Sequence, residues 1–284
     1  MKRSRKSLTV TLLAGMSFAA VTSVSLAWFS GLPTIFLGAD NNNANNAFVQ
    51  PQDDAEAGGG RDQTLQFGDA IFGGWDRDVI AGRLGTDHLF GGTGSDILIG
   101  GTEHFNPFNR DKAFGGPDND LFMWAPGDGS DFFQGGPGLD ALVLGLMGEI
   151  ENGQLVFRVS NDQQAGEIYF DPYTNLPVMD VTNSPGFCEV IDDSSAWDSQ
   201  QELDELDLDH LVRFFIRSVA DDFEAGEQDT DNGLRVTIHL ANVEYLICTS
   251  RDGGHIEVWD LQQSPPVPSS LNAVPIPNIG DIVR

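Results

Sequence analysis

The nine residues from Gly91 to Ile99, GGTGSDILI, set a pattern that the chain repeats on both sides. A glycine-rich turn leads to an aspartate, Asp96, and two residues later comes an apolar side chain, Leu98. Eight aspartates occupy this place: Asp69, Asp78, Asp87, Asp96, Asp111, Asp120, Asp131 and Asp140, at spacings of 9, 9, 9, 15, 9, 11 and 9. Their apolar companions are Ile71, Ile80, Leu89, Leu98, Ala113, Phe122, Phe133 and Leu142. A period of nine that joins a glycine turn to one inward side chain describes a parallel β-roll. Six residues turn, three form a short strand, and two nonapeptides complete a coil. The expected fold is mainly β, with the roll over 64–146.

The turns point to a cation. Glycine is needed where the backbone takes positive φ and carbonyls crowd together. Coils stack about 4.8 Å apart, so aspartates of successive coils stack at that spacing. Two carboxylates there repel by about 1–4 kcal/mol at effective dielectrics between water and a protein surface. Calcium suits such a ladder, because it is a hard ion that takes several carboxylate and carbonyl oxygens in flexible geometry. Magnesium demands a stricter octahedron and keeps its water, and transition metals want His or Cys, which do not recur in the turns.

Over about residues 66–146 the chain resembles the RTX, or haemolysin-type, calcium-binding repeat family. The resemblance implies that calcium lies between turns two repeats apart, held by Asp78, Asp96, Asp120 and Asp140 among others, together with turn carbonyls. The candidate metal set also includes Asp69, Asp76, Asp87, Asp111, Asp118 and Asp131, with Gly74, Gly92, Gly94, Gly116, Gly136 and Gly138 as turn residues. Alternate turns fall on the same edge of a roll. One edge receives GGWDRD, GGTGSD, GGPDND and GGPGLD, each of six residues with its glycine pair intact. The other receives GRLGTD, a turn expanded by TEHFNPFNR, and PGDGSD preceded by Trp124-Ala125. Three good sites are expected in the gaps of the intact edge, and fewer or weaker ones opposite.

Further out, the sequence reads as an exported chain. Lys2, Arg3, Arg5 and Lys6 precede a run from Ser7 to Gly38 that carries no charge. Residues 1–39 therefore act as a signal peptide, with cleavage after Ala27, or as an N-terminal membrane anchor; both place the rest outside the cytoplasm. The expected location is extracellular or at the cell surface, with the periplasm as the other compartment such a signal reaches. The formal net charge of −28, from 43 acids and 15 bases, repels nucleic acid and invites multivalent cations. Cys188 and Cys248 form the candidate disulfide in an oxidising compartment.

Residues 40–63 read as a flexible linker and 263–284 as an extended proline-rich tail. Between them, 150–262 reads as a β-rich C-terminal domain, with strands in QLVFRVS, EIYFD, LVRFFIRS, LRVTIHL and VEYLICT and a short helix from about Ser195. Strict alternation in LRVTIHL puts His239 on the solvent face. Trp75, Trp124, Trp197 and Trp259 read as core or rim packing. EQDTDNG, from Glu227, reads as a turn rather than a calcium loop, because no acid stands at its twelfth position. Members of the family often carry an enzyme beside the repeat. This chain has no H-E-x-x-H zinc motif and no G-x-S-x-G elbow, and DELDLD (204–209) reads as a solvated face. The leading expectation is a non-enzymatic calcium binder with an extracellular protein or surface partner. The alternative is an exported hydrolase with its catalytic residues in 150–262.

Overall fold

A three-residue strand buries too little to stand alone, so each coil is stable only when stacked on the next. The computed structural model describes residues 34–37, 70–83, 86–101, 110–157, 167–191, 208–217 and 235–284. Its strands are short and mostly parallel. One sheet contains β2 (Ala70–Trp75), β4 (His88–Thr93), β6 (Lys112–Phe114) and β8 (Phe132–Gln134). The facing sheet contains β3 (Asp78–Ala81), β5 (Ile97–Ile99), β7 (Leu121–Trp124) and β9 (Ala141–Leu144). Chain order alternates between the two sheets, which is the winding of a parallel roll.

The register confirms the inward row. Ile71, Leu89, Ala113 and Phe133 are aligned across one sheet. Ile80, Leu98, Phe122 and Leu142 are aligned across the other. All eight belong to one buried core between the sheets.

The roll continues beyond its repeats. After β9 the chain leaves through β10 (Leu146–Glu151), β11 (Gln154–Phe157), β12 (Glu167–Ile168) and β13 (Met179–Asp180), which form a small antiparallel sheet around β10. It then forms β14 (Gly186–Ile191) and β15 (His210–Ile216), and re-enters the roll as β16 (Arg235–Ala241) and β17 (Tyr245–Thr249). β16 lies parallel to β8, with Leu240 opposite Phe133; β17 lies parallel to β9, with Leu246 opposite Leu142. One further coil is thus built from sequence that has no nonapeptide. The expected boundary between a roll ending at 146 and a domain at 150–262 gives way to one compact unit, Leu32–Arg284. Strand edges explain this: β8 and β9 would otherwise end the sheets with unpaired backbone.

The tail is also not free. β18 (Ile256–Asp260) and β19 (Val267–Pro268) extend the eight-stranded sheet; a 3₁₀ turn (Leu271–Ala273) and a short helix, α1 (Ile279–Ile282), follow. Val274, Ile276, Ile279, Ile282 and Val283 pack on that sheet's outer face, against Val79, Ile97, Ile99, Leu121, Met123 and Val143. This corrects the extended tail. A sheet that is apolar on both faces needs a cover, and residues 274–283 provide part of it. Arg77 holds the cover from the first intact turn through Pro277 O and Asn278 Oδ1, and Asn119 holds it from the third through Pro275 O.

Two further expectations change. His239 is buried, because β16 runs between β8 and β15 rather than along a solvent edge. Trp75 is 77% exposed, whereas Trp124 is wholly buried and Trp259 partly so. Residues 34–37 form β1 (Thr34–Leu37), which pairs in parallel with β3 at the start of the roll. The rest of the export segment, the linker, Asp69, Trp197, the helix expected from Ser195 and the turn at Glu227 lie outside the described residues.

Cys188 in β14 and Cys248 in β17 form a disulfide with Cα atoms 6.2 Å apart, joining the two sheets where the added coil closes the roll. It spans 60 residues of sequence. Replacing both cysteines by serine should cost about 4 kcal/mol by loop-closure entropy. Urea unfolding in saturating calcium would show this as a lower midpoint, and an unchanged midpoint would mean that the bridge constrains nothing.

Candidate metal centre

Each intact turn repeats one backbone device. Gly74, Gly92, Gly116 and Gly136 have φ between 106° and 110°. Position four is also left-handed at Asp76 (69°), Gly94 (121°) and Asp118 (87°). A Cβ on Gly92, Gly116 or Gly136 would strike the carbonyl oxygen of Gly74, Gly92 or Gly116 in the preceding coil. One on Gly94 or Gly138 would strike that of Asp76 or Asp118. Glycine therefore lets carbonyl oxygens of one turn lie directly against the next.

Along this edge runs a column of carboxylates. The backbone N–H of Asp78 donates to Asp96 Oδ1 at 2.8 Å, that of Asp96 to Asp120 Oδ1 at 2.7 Å, and that of Asp120 to Asp140 Oδ1 at 2.7 Å. The four side chains are essentially fully buried. Their second oxygens, Oδ2, are buried without a hydrogen-bond partner. A carboxylate oxygen left this way in a dry site carries a large desolvation cost. A hard cation would relieve it. Asp76 and Asp118 enter differently from the sequence reading: their side chains are exposed, and only their carbonyls face the neighbouring turn.

Among the described residues, the opposite edge gathers three carboxylates together. The N–H of Asp87 donates to Asp111 Oδ1 at 2.6 Å, and the N–H of Asp111 to Asp131 Oδ1 at 2.8 Å. Asp128 joins them, and carboxylate oxygens of Asp111, Asp128 and Asp131 lie within 4.8 Å of one another. All three side chains are fully buried, and Oδ2 of Asp111 and of Asp131 lacks a hydrogen-bond partner. Asp128 comes from PGDGSD, the turn that follows the extra Trp124-Ala125 and that the repeat pattern marks as interrupted. Two positive-φ glycines, Gly127 and Gly129, fold that turn inward, and Trp124 Nε1 ties it down by donating to Gly129 O at 3.1 Å. Gly100 completes the wall, since a Cβ there would meet Oδ2 of both Asp111 and Asp128. The edge expected to be poorer thus gathers three carboxylates at one point.

Burial raises the pKa along both columns. Asp78 is pushed up to about 6, Asp96 and Asp140 to about 7, and Asp120 to about 9, in each case mainly by loss of water. Asp111 and Asp131 also rise well above the usual carboxylate range, first through burial; the like charge of Asp131 raises Asp111 further, while for Asp131 the N–H bond from Asp111 pulls down and the like charge of Asp87 pushes up. Such groups await either protons or a metal.

Comparison of the chain with protein-family models, with curated proteins and with solved structures finds no match.

Two outcomes follow from these carboxyls. In chelator, the folded chain holds protons that the unfolded chain releases above about pH 4. Stability without metal is therefore greatest in acid and falls as pH rises from there through the range 6 to 9 in which Asp78, Asp96, Asp140 and Asp120 titrate when folded. Saturating calcium should abolish that fall, because the ion displaces those protons and leaves the folded and unfolded chains equally deprotonated at these groups above about pH 5. Melting temperatures across that range, falling with pH in chelator and level in calcium, test both outcomes. Separately, Asp128→Asn should lower affinity at the three-carboxylate site about tenfold or more, the scale of about 1.4 kcal/mol for one charge-assisted contact. Calorimetric titration beside wild type measures it, and an unchanged isotherm would remove Asp128 from the site.

Proposed function

We propose that this chain is an exported calcium-binding protein of the haemolysin-type repeat kind, whose roll reaches its folded state by taking calcium between successive turns. The observation that carries this reading is the set of buried Oδ2 atoms, on Asp78, Asp96, Asp120, Asp140, Asp111 and Asp131, that have no hydrogen-bond partner. Those of Asp78, Asp96, Asp111, Asp120 and Asp140 stand beside a turn glycine, in a setting of oxygen donors that suits a hard cation. The spread of donors along flexible turns favours calcium over magnesium, and the absence of a recurring His or Cys in the repeats disfavours zinc or copper.

Calcium is plentiful outside cells, and the basic-then-uncharged N-terminus is read as delivering the chain there. The strongly acidic balance argues for a protein or surface partner reached through calcium, and against nucleic acid. A cavity of about 310 Å³ lies among Cys188, Glu189, Val190, Trp259 and Pro266. The buried, raised carboxyls line the turns of the roll instead, and this placement supports binding rather than hydrolysis.

Circular dichroism and thermal melting of the chain in chelator, in millimolar magnesium and in millimolar calcium test the proposal. Calcium should raise stability by about 2.7 kcal/mol for each site at a hundredfold excess over its Kd. Magnesium should do much less. A chain equally folded and equally stable in chelator would overturn the reading.

A further inference from the structure

The intact column does not stop at the last nonapeptide. The N–H of Asp140 donates to Glu244 Oε2 at 2.7 Å, the same bond that Asp78, Asp96 and Asp120 make to the following aspartate. Glu244 and Tyr245 donate their own N–H groups to Asp140 O, as Leu121 does to Asp96 O and Ala141 to Asp120 O. Asn242 takes the place of the first turn glycine. Gly135 N–H donates to Ala241 O just as Gly115 N–H does to Gln134 O, and a Cβ on Gly135 would meet both Asn242 O and Asp140 Oδ2. The turn has shrunk from six residues (135–140) to three (242–244), and a glutamate replaces the aspartate.

We propose that Asp140, Asn242 and Glu244 form a further divalent-cation site, which seals residues 235–249 onto the end of the repeats. It rests on the calcium reading above but draws two of its ligands, Asn242 and Glu244, from outside every repeat. Asp140 is fully buried, and its Oδ2, lying beside Asn242 O, has no hydrogen-bond partner. Two carboxylates and a carbonyl facing one gap make a hard-oxygen donor set, with water completing the shell. Asp209 stands next to it and orders the turn, its Oδ2 accepting from Asn242 N–H. Upstream, Gly116 N–H donates to Gly135 O and Asp118 N–H to Pro137 O, so facing turns are zipped together. The shortened turn leaves out the residues that would continue this zipper. Its ion is therefore the most hydrated of the column and the first to leave in chelator.

Glutamine tests the idea well, because its amide oxygen can still accept from Asp140 N–H while the charge is lost. Ions per chain are counted by native mass spectrometry in calcium, with calorimetry on the same full-length samples. Glu244→Gln should bind one calcium fewer and lose the weakest binding step. Glu244→Asp keeps the charge and should keep the count, with weaker affinity. An unchanged count in Glu244→Gln, or loss of the ion in both variants, would overturn this site and leave the roll's other sites standing. Failure of the wild type to bind any calcium would overturn the broader reading as well. Anomalous scattering from a lanthanide-soaked wild-type crystal gives an answer that needs no variant. A peak between Asp140 and Glu244 supports the site, and peaks only at the repeats overturn it.

Discussion

Stacking is what this chain cannot avoid. A roll places the same residue of every turn in a column at the coil spacing, so one aspartate per repeat becomes a ladder of like charges. The structure meets half of the problem with backbone. From Asp96 onward, one oxygen of each carboxylate accepts the N–H of the aspartate one coil earlier, and these bonds run unbroken from Asp78 to Glu244. The second oxygen is left buried, and the backbone has no further donor for it. Everything else in the turn serves that second oxygen: the left-handed glycines, the inward carbonyls and the absence of any Cβ that would fill the space.

The ladder also explains why the remainder of the molecule is arranged around the roll rather than beside it. A column of buried charge requires dry surroundings and well-ordered strands, which short strands gain only by stacking and by cover on both faces. Residues 274–283 cover the outer face of one sheet, and their polar contacts go to Arg77 and Asn119 within the intact turns. The cover and the turns are therefore mechanically linked. Order in one favours order in the other. The disulfide between Cys188 and Cys248 acts at the far end, where the added coil meets both sheets.

The eight inward residues of the repeats were legible in the sequence, because period nine specifies one inward residue per strand and the glycines mark each turn; Leu240 and Leu246, which extend the same rows, were not. What was harder to see has a physical cause in each case. The strands after the intact turns are apolar at alternate positions as well, in pairs such as Val79 and Ala81, Ile97 and Ile99, and Leu121 and Met123. That two-faced pattern announces a covered sheet, yet nothing local says which distant segment covers it. Asp128 is hidden because it stands three residues before the repeat aspartate Asp131, in a turn that the extra Trp124-Ala125 puts out of step, and a fixed period discounts such a turn. Asn242-Val243-Glu244 is hidden for a related reason: position in the column is preserved in space, while length, glycine and aspartate are all changed in sequence.

That last substitution follows from geometry. A six-residue turn brings its aspartate to the column with a short side chain, because the backbone travels most of the way around the edge. A three-residue turn has less backbone with which to reach the column. One additional methylene carries the carboxylate of Glu244 across the difference, so that it meets Asp140 N–H at the same 2.7 Å as an aspartate would. The left-handed backbone of Asn242, at φ 51°, makes the sharper corner without glycine. Conserving the position of a charge, rather than the residue that bears it, is how the chain leaves its repeat while keeping the column that the repeat created.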